Sequence, residues 1–329
     1  MTPDPSRRME LAEPADGDEE VGAFDSPHTT KPAADGRRRQ ADDPLSLVVV
    51  THPLDRFYSR GYLLAHLVAE WEKEGIRVSV VSDPDRPVEA DAAFLHVDLT
   101  VVPEGFRRLA GACPVVINGG TVDISKRRIS RHLVRRSGSY RGPVIVKTDR
   151  NFGGRPERER ASASLPRRAL RALVGRLPWC LNARIAPGSY PVYPSKEAVP
   201  FPAWLNRRLV VEAFLPERDG EYYCLRNWVF LGDREVSIRS IGKRPVLKAG
   251  AVVDREYDVE IPDELRRLRE ELGFEFGKFD FALLNGRVVL YDVNRTPSFA
   301  AGGSSGAQGA TTRARVGKLA SGLHSLLGP

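Results

Sequence analysis

From Leu45 onward, short apolar runs alternate with amphipathic stretches, whereas Met1 to Pro44 holds almost no large apolar side chain. Leu45-Ser46-Leu47-Val48-Val49-Val50 lacks a polar face, the mark of a strand buried on both sides in a parallel sheet. The pattern then predicts a helix from about Ser59 to Gly75 and strands at Arg77–Val81, Ala92–Val97 and Pro114–Ile117. Such strand–helix alternation reads as a small parallel α/β domain over residues 45–122. Ligands of such sheets sit beyond the strand C-termini, which places His52, Asp55 and Asn118-Gly119-Gly120 at the expected crevice. His52 suits a substrate contact or the start of the helix equally well.

The second part of the chain changes rhythm. Ile124 to Arg136 is helical in pattern, and Gly142-Pro143-Val144-Ile145-Val146-Lys147 is a β-branched strand closing on a lysine. Thr148 to Gly154 follows, ending in Gly153-Gly154, a loop flexible enough to fold over phosphates. Ala163 to Leu177 reads as an amphipathic, Arg-rich helix and Pro178 to Pro202 as irregular, with its strongest turn signal at Pro187-Gly188-Ser189-Tyr190-Pro191. That stretch suits a lid or a partner surface. Arg208 to Pro216 is a strand, Tyr222–Leu231 and Arg234–Ile241 form a hairpin around Gly232-Asp233, and Asp263 to Gly273 is a capped amphipathic helix. A Gly/Ser-rich run, Ala300–Gly309, precedes a last helix over Thr312–Leu327.

Between those helices, two apolar runs flank Asn285-Gly286, a strong hairpin signal. Asp280, Asp292 and Asn294 interrupt runs that should otherwise be buried, and burying a carboxylate demands a compensating cation or several donors. Alternation puts Lys278 with Asp280, and Asp292 with Asn294, on one face of their strands. A two-residue turn would pair Leu284 with Arg287 and send Asp292 to the face opposite Asp280. A three-residue loop with Gly286 left-handed in a bulge pairs Leu283 with Arg287, gathers all four on one face, and is the expected geometry. Two carboxylates and an amide oxygen suit hard Mg²⁺ (or Mn²⁺), which keeps some waters and bridges phosphates. An edge hairpin with solvated acids is the alternative.

Composition agrees with an enzyme of several domains: 329 residues, 41% hydrophobic, exceed what one core serves. No apolar stretch approaches a bilayer span and no signal core opens the chain, so a cytoplasmic protein without a membrane role is expected. Met1 to Pro44 carries 11 acids against 6 Lys and Arg, whereas the whole chain is +7. The rest is therefore strongly basic, which suits an anionic substrate or nucleotide. The tail cannot bury enough surface to offset its ordering entropy and is expected to be disordered. Basic runs such as Arg127-Arg128 and Arg135-Arg136 lack a nucleic-acid reading module and read as solvated helix faces. Cys113, Cys180 and Cys224 are too scattered for a disulfide framework or a zinc site.

Lysine strand, glycine loop, strand with Glu212, paired strands, short helix and acid-bearing hairpin, in that order, resemble the ATP-grasp superfamily, in its carboxylate–amine ligase branch. The resemblance covers roughly Asp123 to Gly303. It implies a small parallel pre-ATP-grasp domain over residues 45–122 and a two-lobed α+β ATP-grasp domain. The small lobe would span residues 123–212, with an insertion at about 155–205, and the large lobe residues 213–329. It further implies that Lys126, Lys147, Gly153 and Gly154 meet the phosphates and that Glu212, Ala213 and Phe214 meet adenine. Arg226, Arg239 and Lys278 would stabilise the transferred group, with Mg²⁺ on Asp280, Asp292 and Asn294. The ribose-binding acid falls near Leu225, leaving Glu221 as a substitute. The implied activity joins a small-molecule or peptide carboxylate to an amine through an acyl-phosphate, with ATP and Mg²⁺ as cofactors. A kinase stopping at phosphoryl transfer and a nucleotide-binding regulatory module are the competing readings. Oligomeric state stays open, a homodimer included.

Overall fold

The computed structural model describes residues 43–160, 173–186, 189–247, 249–298 and 306–327. The expected tail, most of the helix expected over 163–177, the Pro187-Gly188 turn and the start of the Gly/Ser-rich run lie outside those residues.

β1 (Ser46–Val50) is the central apolar strand and divides its side chains between two cores. Leu47 and Val49 pack with Leu64, Leu67 and Trp71 of α1 (Leu63–Lys73), while Val48 and Val50 join Phe106 and Leu109 of α2 (Glu104–Ala110). With β2 (Arg77–Val81), β3 (Ala92–Leu95) and β4 (Val115–Ile117) it forms a parallel sheet of order β2-β1-β3-β4. Helix α1 starts four residues later than its pattern suggests. The chain before it turns through left-handed Arg56 and Gly61, and Leu63 N donates to Pro297 O at 2.8 Å, so a distant segment sets the helix start.

The helix expected over Ile124–Arg136 is a single turn, α3 (Lys126–Ile129). Beyond it Val134 N donates to Val211 O at 2.8 Å and Leu133 bridges Glu212, so strand-like pairing overrides helical periodicity. β5 (Val144–Thr148) is buried at every position. It lies between β6 (Val192–Tyr193) and β7 (Leu209–Ala213) in an antiparallel sheet, with α4 (Arg155–Arg160) following the glycine loop.

A six-stranded antiparallel sheet has the order β11-β10-β9-β12-β13, with β8 added beside β9. Its strands are β8 (Glu217–Asp219), β9 (Tyr222–Leu231), β10 (Arg234–Gly242), β11 (Val252–Tyr257), β12 (Phe276–Leu284) and β13 (Arg287–Asn294). One face buries Trp228, Phe230, Phe279 and Phe281 against Leu265 and Leu268 of α5 (Asp263–Glu271). The other sends Leu231, Val236 and Phe276 into the α1 core, beside Val316 and Leu319 of α6 (Gly306–Ala320). Phe94 meets Phe276 edge-on at 5.2 Å, and Trp71 Nε1 donates to Ala320 O at 2.9 Å. The parallel and six-stranded sheets thus share one core, and truncating Trp71 to alanine should cost about 3–5 kcal/mol.

Asn118-Gly119-Gly120, expected at the ligand crevice, belongs to this junction instead. Asn118 is fully buried at φ 63°, donates Nδ2 to Phe276 O (2.9 Å) and accepts Phe276 N on Oδ1 (2.9 Å). Gly120 runs so close to Gly273 that an added Cβ would sit 3.3 Å from Gly273 Cα. The three cysteines are free and buried. Among the described residues no helix is long and apolar enough to cross a membrane.

Candidate active site

One cavity of about 650 Å³, of small-molecule size, gathers residues of both antiparallel sheets and of the segments that follow β1 and β3. Lys126 and Lys147 line it beside Ile145, Ala213, Phe214 and Leu215, and Leu225 closes another wall. Lys278, Asp280, Tyr291, Asp292 and Asn294 project from the acid-bearing hairpin. Arg60, Tyr62 and Asp98 reach it from the parallel domain, beyond the C-terminal ends of β1 and β3, where ligands of such sheets are expected.

The hairpin reaches its expected outcome by a different route. Its turn has two residues, Asn285 and Gly286, both left-handed, and pairs Leu284 with Arg287. The bulge lies further along β13, where Phe281 pairs with Leu290 and Asp280 with Asp292, so that Tyr291 is the extra residue. This shift sets Asp280 opposite Asp292 and Lys278 opposite Asn294, all on one face. The bulged residue is used twice. Its carbonyl accepts Lys147 Nζ at 3.2 Å and its hydroxyl donates to Leu215 O at 2.7 Å, joining the hairpin to the segment after β7.

Each carboxylate has a lysine. Lys126 Nζ lies 2.6 Å from Asp292 Oδ1, and Lys278 Nζ lies 3.0 Å from Asp280 Oδ1, which also accepts Asn227 Nδ2 at 2.5 Å. Burial by itself would lower the Lys126 ammonium's pKa, but the charge and hydrogen bond of Asp292 outweigh it and raise it. The Asp280 charge likewise raises Lys278. These contacts use Oδ1 alone. Among the described residues no hydrogen bond reaches Oδ2 of Asp280 or Asp292, and those oxygens fit a hard divalent cation. Asn294 fits less directly, because its Oδ1 accepts Thr296 N at 2.9 Å. No group of three or more His, Cys, Asp or Glu among the described residues is placed to hold a metal, so phosphate and water would complete the shell.

Lys126 is positioned by its backbone, which donates to Asp149 O at 2.9 Å just past β5. Lys147 sits inside the fully buried strand and pairs with Glu212 at 2.6 Å. Glu212 therefore turns toward the lysine rather than outward, and its Oε1 is buried without a partner among the described residues. Phe152, Gly153 and Gly154 of the glycine loop are all left-handed. A bulky residue in that region is uncommon and marks a constrained loop. Gly153 and Gly154 are buried behind Asn151 and Phe152, which form the lining.

Arg226, Arg239 and Glu221 are not brought to the cavity. Arg226 and Arg239 pair across the β9–β10 ladder and share the buried Glu217, Arg226 Nε at 2.8 Å and Arg239 Nε at 3.1 Å. They lie on the Phe281 face of the sheet, opposite the acids, because Arg226 registers with Phe281 while Asn227 registers with Asp280. Glu221 is exposed in the turn between β8 and β9. Nor do His52 and Asp55 line the cavity; Asp55 is fully buried, accepting Thr51 Oγ1 at 3.0 Å and pairing with Arg160.

Sequence reasoning missed Arg60, Tyr62, Asp98 and Asn227. Tyr62 donates to Asp98 Oδ2 at 2.9 Å, and burial raises the pKa of that carboxyl. Asn227 did carry a signal, a polar interruption of an apolar strand like those made by the acids themselves.

No protein-family model matches the chain, and no curated protein matches it in sequence. Solved structures do resemble it. A RimK domain protein ATP-grasp from Sphaerobacter thermophilus aligns at TM-score 0.44 and 14% identity, covering 86% of this chain and 100% of that one. A D-alanine–D-alanine ligase from Bacillus anthracis aligns at TM-score 0.43 and 10% identity, covering 87% of this chain and 96% of that one. The macrocyclase MdnC from Microcystis aeruginosa, bound with its precursor peptide MdnA, aligns at TM-score 0.45 and 8% identity, covering 84% of this chain and 100% of that one.

Proposed function

We propose that the chain is an ATP- and Mg²⁺-dependent ATP-grasp ligase that activates a small-molecule or peptide carboxylate as an acyl-phosphate and passes it to an amine. The observation that carries this reading is the Tyr291 bulge, which aligns Asp280 with Asp292 on the cavity wall that Lys126 and Lys147 also reach. Lys126 and Lys147 are buried, and charges so placed are costly to keep and gain their use from a ligand of matching charge.

In this reading Lys126 and Lys147 neutralise the nucleotide phosphates, Lys147 carried by a rigid strand and Lys126 fixed by its backbone bond to Asp149. The backbone of Ala213 and Phe214, at the end of β7, faces the base. Asp280 and Asp292 would hold Mg²⁺, which would supply charge neutralisation to the phosphates. Lys278 lies beside the group being transferred. The substrate carboxylate oxygen attacks the γ-phosphorus and ADP leaves; the deprotonated amine then attacks the acyl carbon and inorganic phosphate leaves. Arg226 and Arg239 act as scaffold, since carboxylates already hold both: Glu217 binds each, and Arg239 also pairs with Asp219 and Glu256. Catalysis in this scheme is positioning and electrostatics, which needs no nucleophilic triad.

Incubation with ATP, Mg²⁺ and pooled carboxylates and amines, read by mass spectrometry, tests the proposal. ADP together with an amide product supports it. A stable phospho-product would make the enzyme a kinase, and no ATP turnover with any pool would remove the catalytic reading.

A further inference from the structure

At the end of the cavity formed by the parallel domain and α4, two guanidinium groups hold one internal carboxylate. Arg60 Nη2 lies 2.7 Å from Glu159 Oε2, and Arg155 Nε lies 2.6 Å from Glu159 Oε1. All three side chains line the cavity, with Phe152 beside them. We propose that Arg60 and Arg155 form the seat of a substrate's recognition carboxylate, and that Glu159 occupies this seat until the substrate displaces it. The inference deepens the ligase reading, since it takes this cavity to be the substrate site.

Three features favour an exchangeable contact over a structural clamp. The pair is open to the cavity, with Arg60 and Glu159 side chains each about one-third exposed at 34% and 33%, and ion pairs at such exposure are weak. The helix does not depend on Glu159 for its position. Glu157 Oε1 accepts Thr100 N at 2.9 Å, and Arg160, almost wholly buried, pairs with Asp55, so α4 stays anchored when Glu159 swings away. Hydrogen bonds from Arg155 and then Arg60 lower the Glu159 pKa, so the two guanidinium groups already hold a carboxylate, with Asp98 a further 3.7 Å from Arg60. An incoming carboxylate replaces one anion by another and keeps the fork geometry that guanidinium groups offer to paired oxygens. A carboxylate held in this way serves recognition rather than reaction, so the substrate would carry another group for the phosphate end.

The test uses the full chain with Mg²⁺ and a non-hydrolysable ATP analogue, titrated by calorimetry with N-acetylglycine and with its neutral counterpart N-acetylglycinamide. The acid is expected to bind and the amide is not. Glu159→Gln should tighten the acid roughly tenfold by weakening the internal competitor, and Arg60→Met should abolish its binding. Thermal melts check that both variants are folded, and Glu159→Ala repeats the first test with a different side chain. The seat is overturned if no form binds the acid, if both Glu159 variants bind it no tighter than the parent, or if Arg60→Met leaves it unchanged. Titration of the analogue alone separates the two ideas: failure there strikes the nucleotide reading, and normal analogue binding without these acid effects strikes only the seat.

Discussion

Two hairpins of the same sheet each set like charges opposite one another, and they resolve the conflict in opposite ways. In β9–β10 the ladder is regular and Arg226 faces Arg239, with Glu217 bound between them. In β12–β13 a bulge shifts the register and Asp280 faces Asp292, each touched by a lysine on one oxygen only. Like charges across a ladder destabilise it unless something answers them. The first pair is answered within the protein. Among the described residues the second keeps two carboxylate oxygens without hydrogen bonds on a cavity wall, and on the proposed function this is how a site differs from a scaffold built of the same chemistry.

The widest separation between the hairpins should appear in turnover. Asp292→Asn is expected to lower ADP formation by about a hundredfold or more, with the melting temperature nearly unchanged, because on the proposed function the carboxylate serves a cation rather than the core. Unaltered ADP release would erase the contrast. Glu217→Ala should do the reverse in kind. It leaves the half-buried Arg226 without its carboxylate, while Arg239 keeps Asp219 and Glu256, and should cost about 1–3 kcal/mol in denaturant unfolding. A loss comparable to that of a surface substitution would show that Arg226 needs no internal counter-ion.

A smaller effect distinguishes the hairpins by pH. Burial tends to raise the Glu217 pKa, but hydrogen bonds from Arg226 and from Leu283 N, with the Arg226 charge, hold it below the ordinary 4.5. Its contribution is therefore whole above about pH 4.5 and is lost as pH falls through the lower folded value. Lys126 and Lys278 are raised above 10.5, so theirs is whole below that pH and is lost as pH rises through the folded values. Denaturant midpoints should fall on the acid side in the parent and less steeply in Glu217→Gln, while Lys278→Met should flatten only the alkaline side. Equal acid slopes in parent and Glu217→Gln would contradict the assignment.

Much of this was legible in the residues, and the exceptions share a cause. The all-apolar β1 and the bounds of the β9–β10 hairpin follow from local periodicity, as does the presence of an acid-bearing hairpin around Asn285-Gly286. The bulge at Tyr291 does not. A strand shows one more residue only against its partner, so the correct face was reached by placing the irregularity in the turn. Arg226 and Arg239 fall outside the cavity because their register puts them on the Phe281 face, where Glu217 reaches both from β8 through strand pairing. Arg60, Tyr62 and Asp98 join the cavity through packing of the parallel domain, which no local spacing encodes. The helix expected over Ile124–Arg136 stopped after one turn because its later residues pair along β7.

The bulge is the central claim, and changing the residue count of β13 is the most direct test. Deleting Tyr291 removes the extra residue and leaves Asp292 paired with Asp280 by regular alternation, whereas in a hairpin without the bulge only the deletion would bring the two carboxylates together. Mn²⁺ binding in the presence of ATP, followed by electron paramagnetic resonance on folded variants, reads the metal site without requiring turnover. The expected result is tight Mn²⁺ binding in the parent, in Tyr291→Phe and in the deletion, and its loss in Asp292→Asn; binding that is absent from the parent and gained in the deletion would contradict the account.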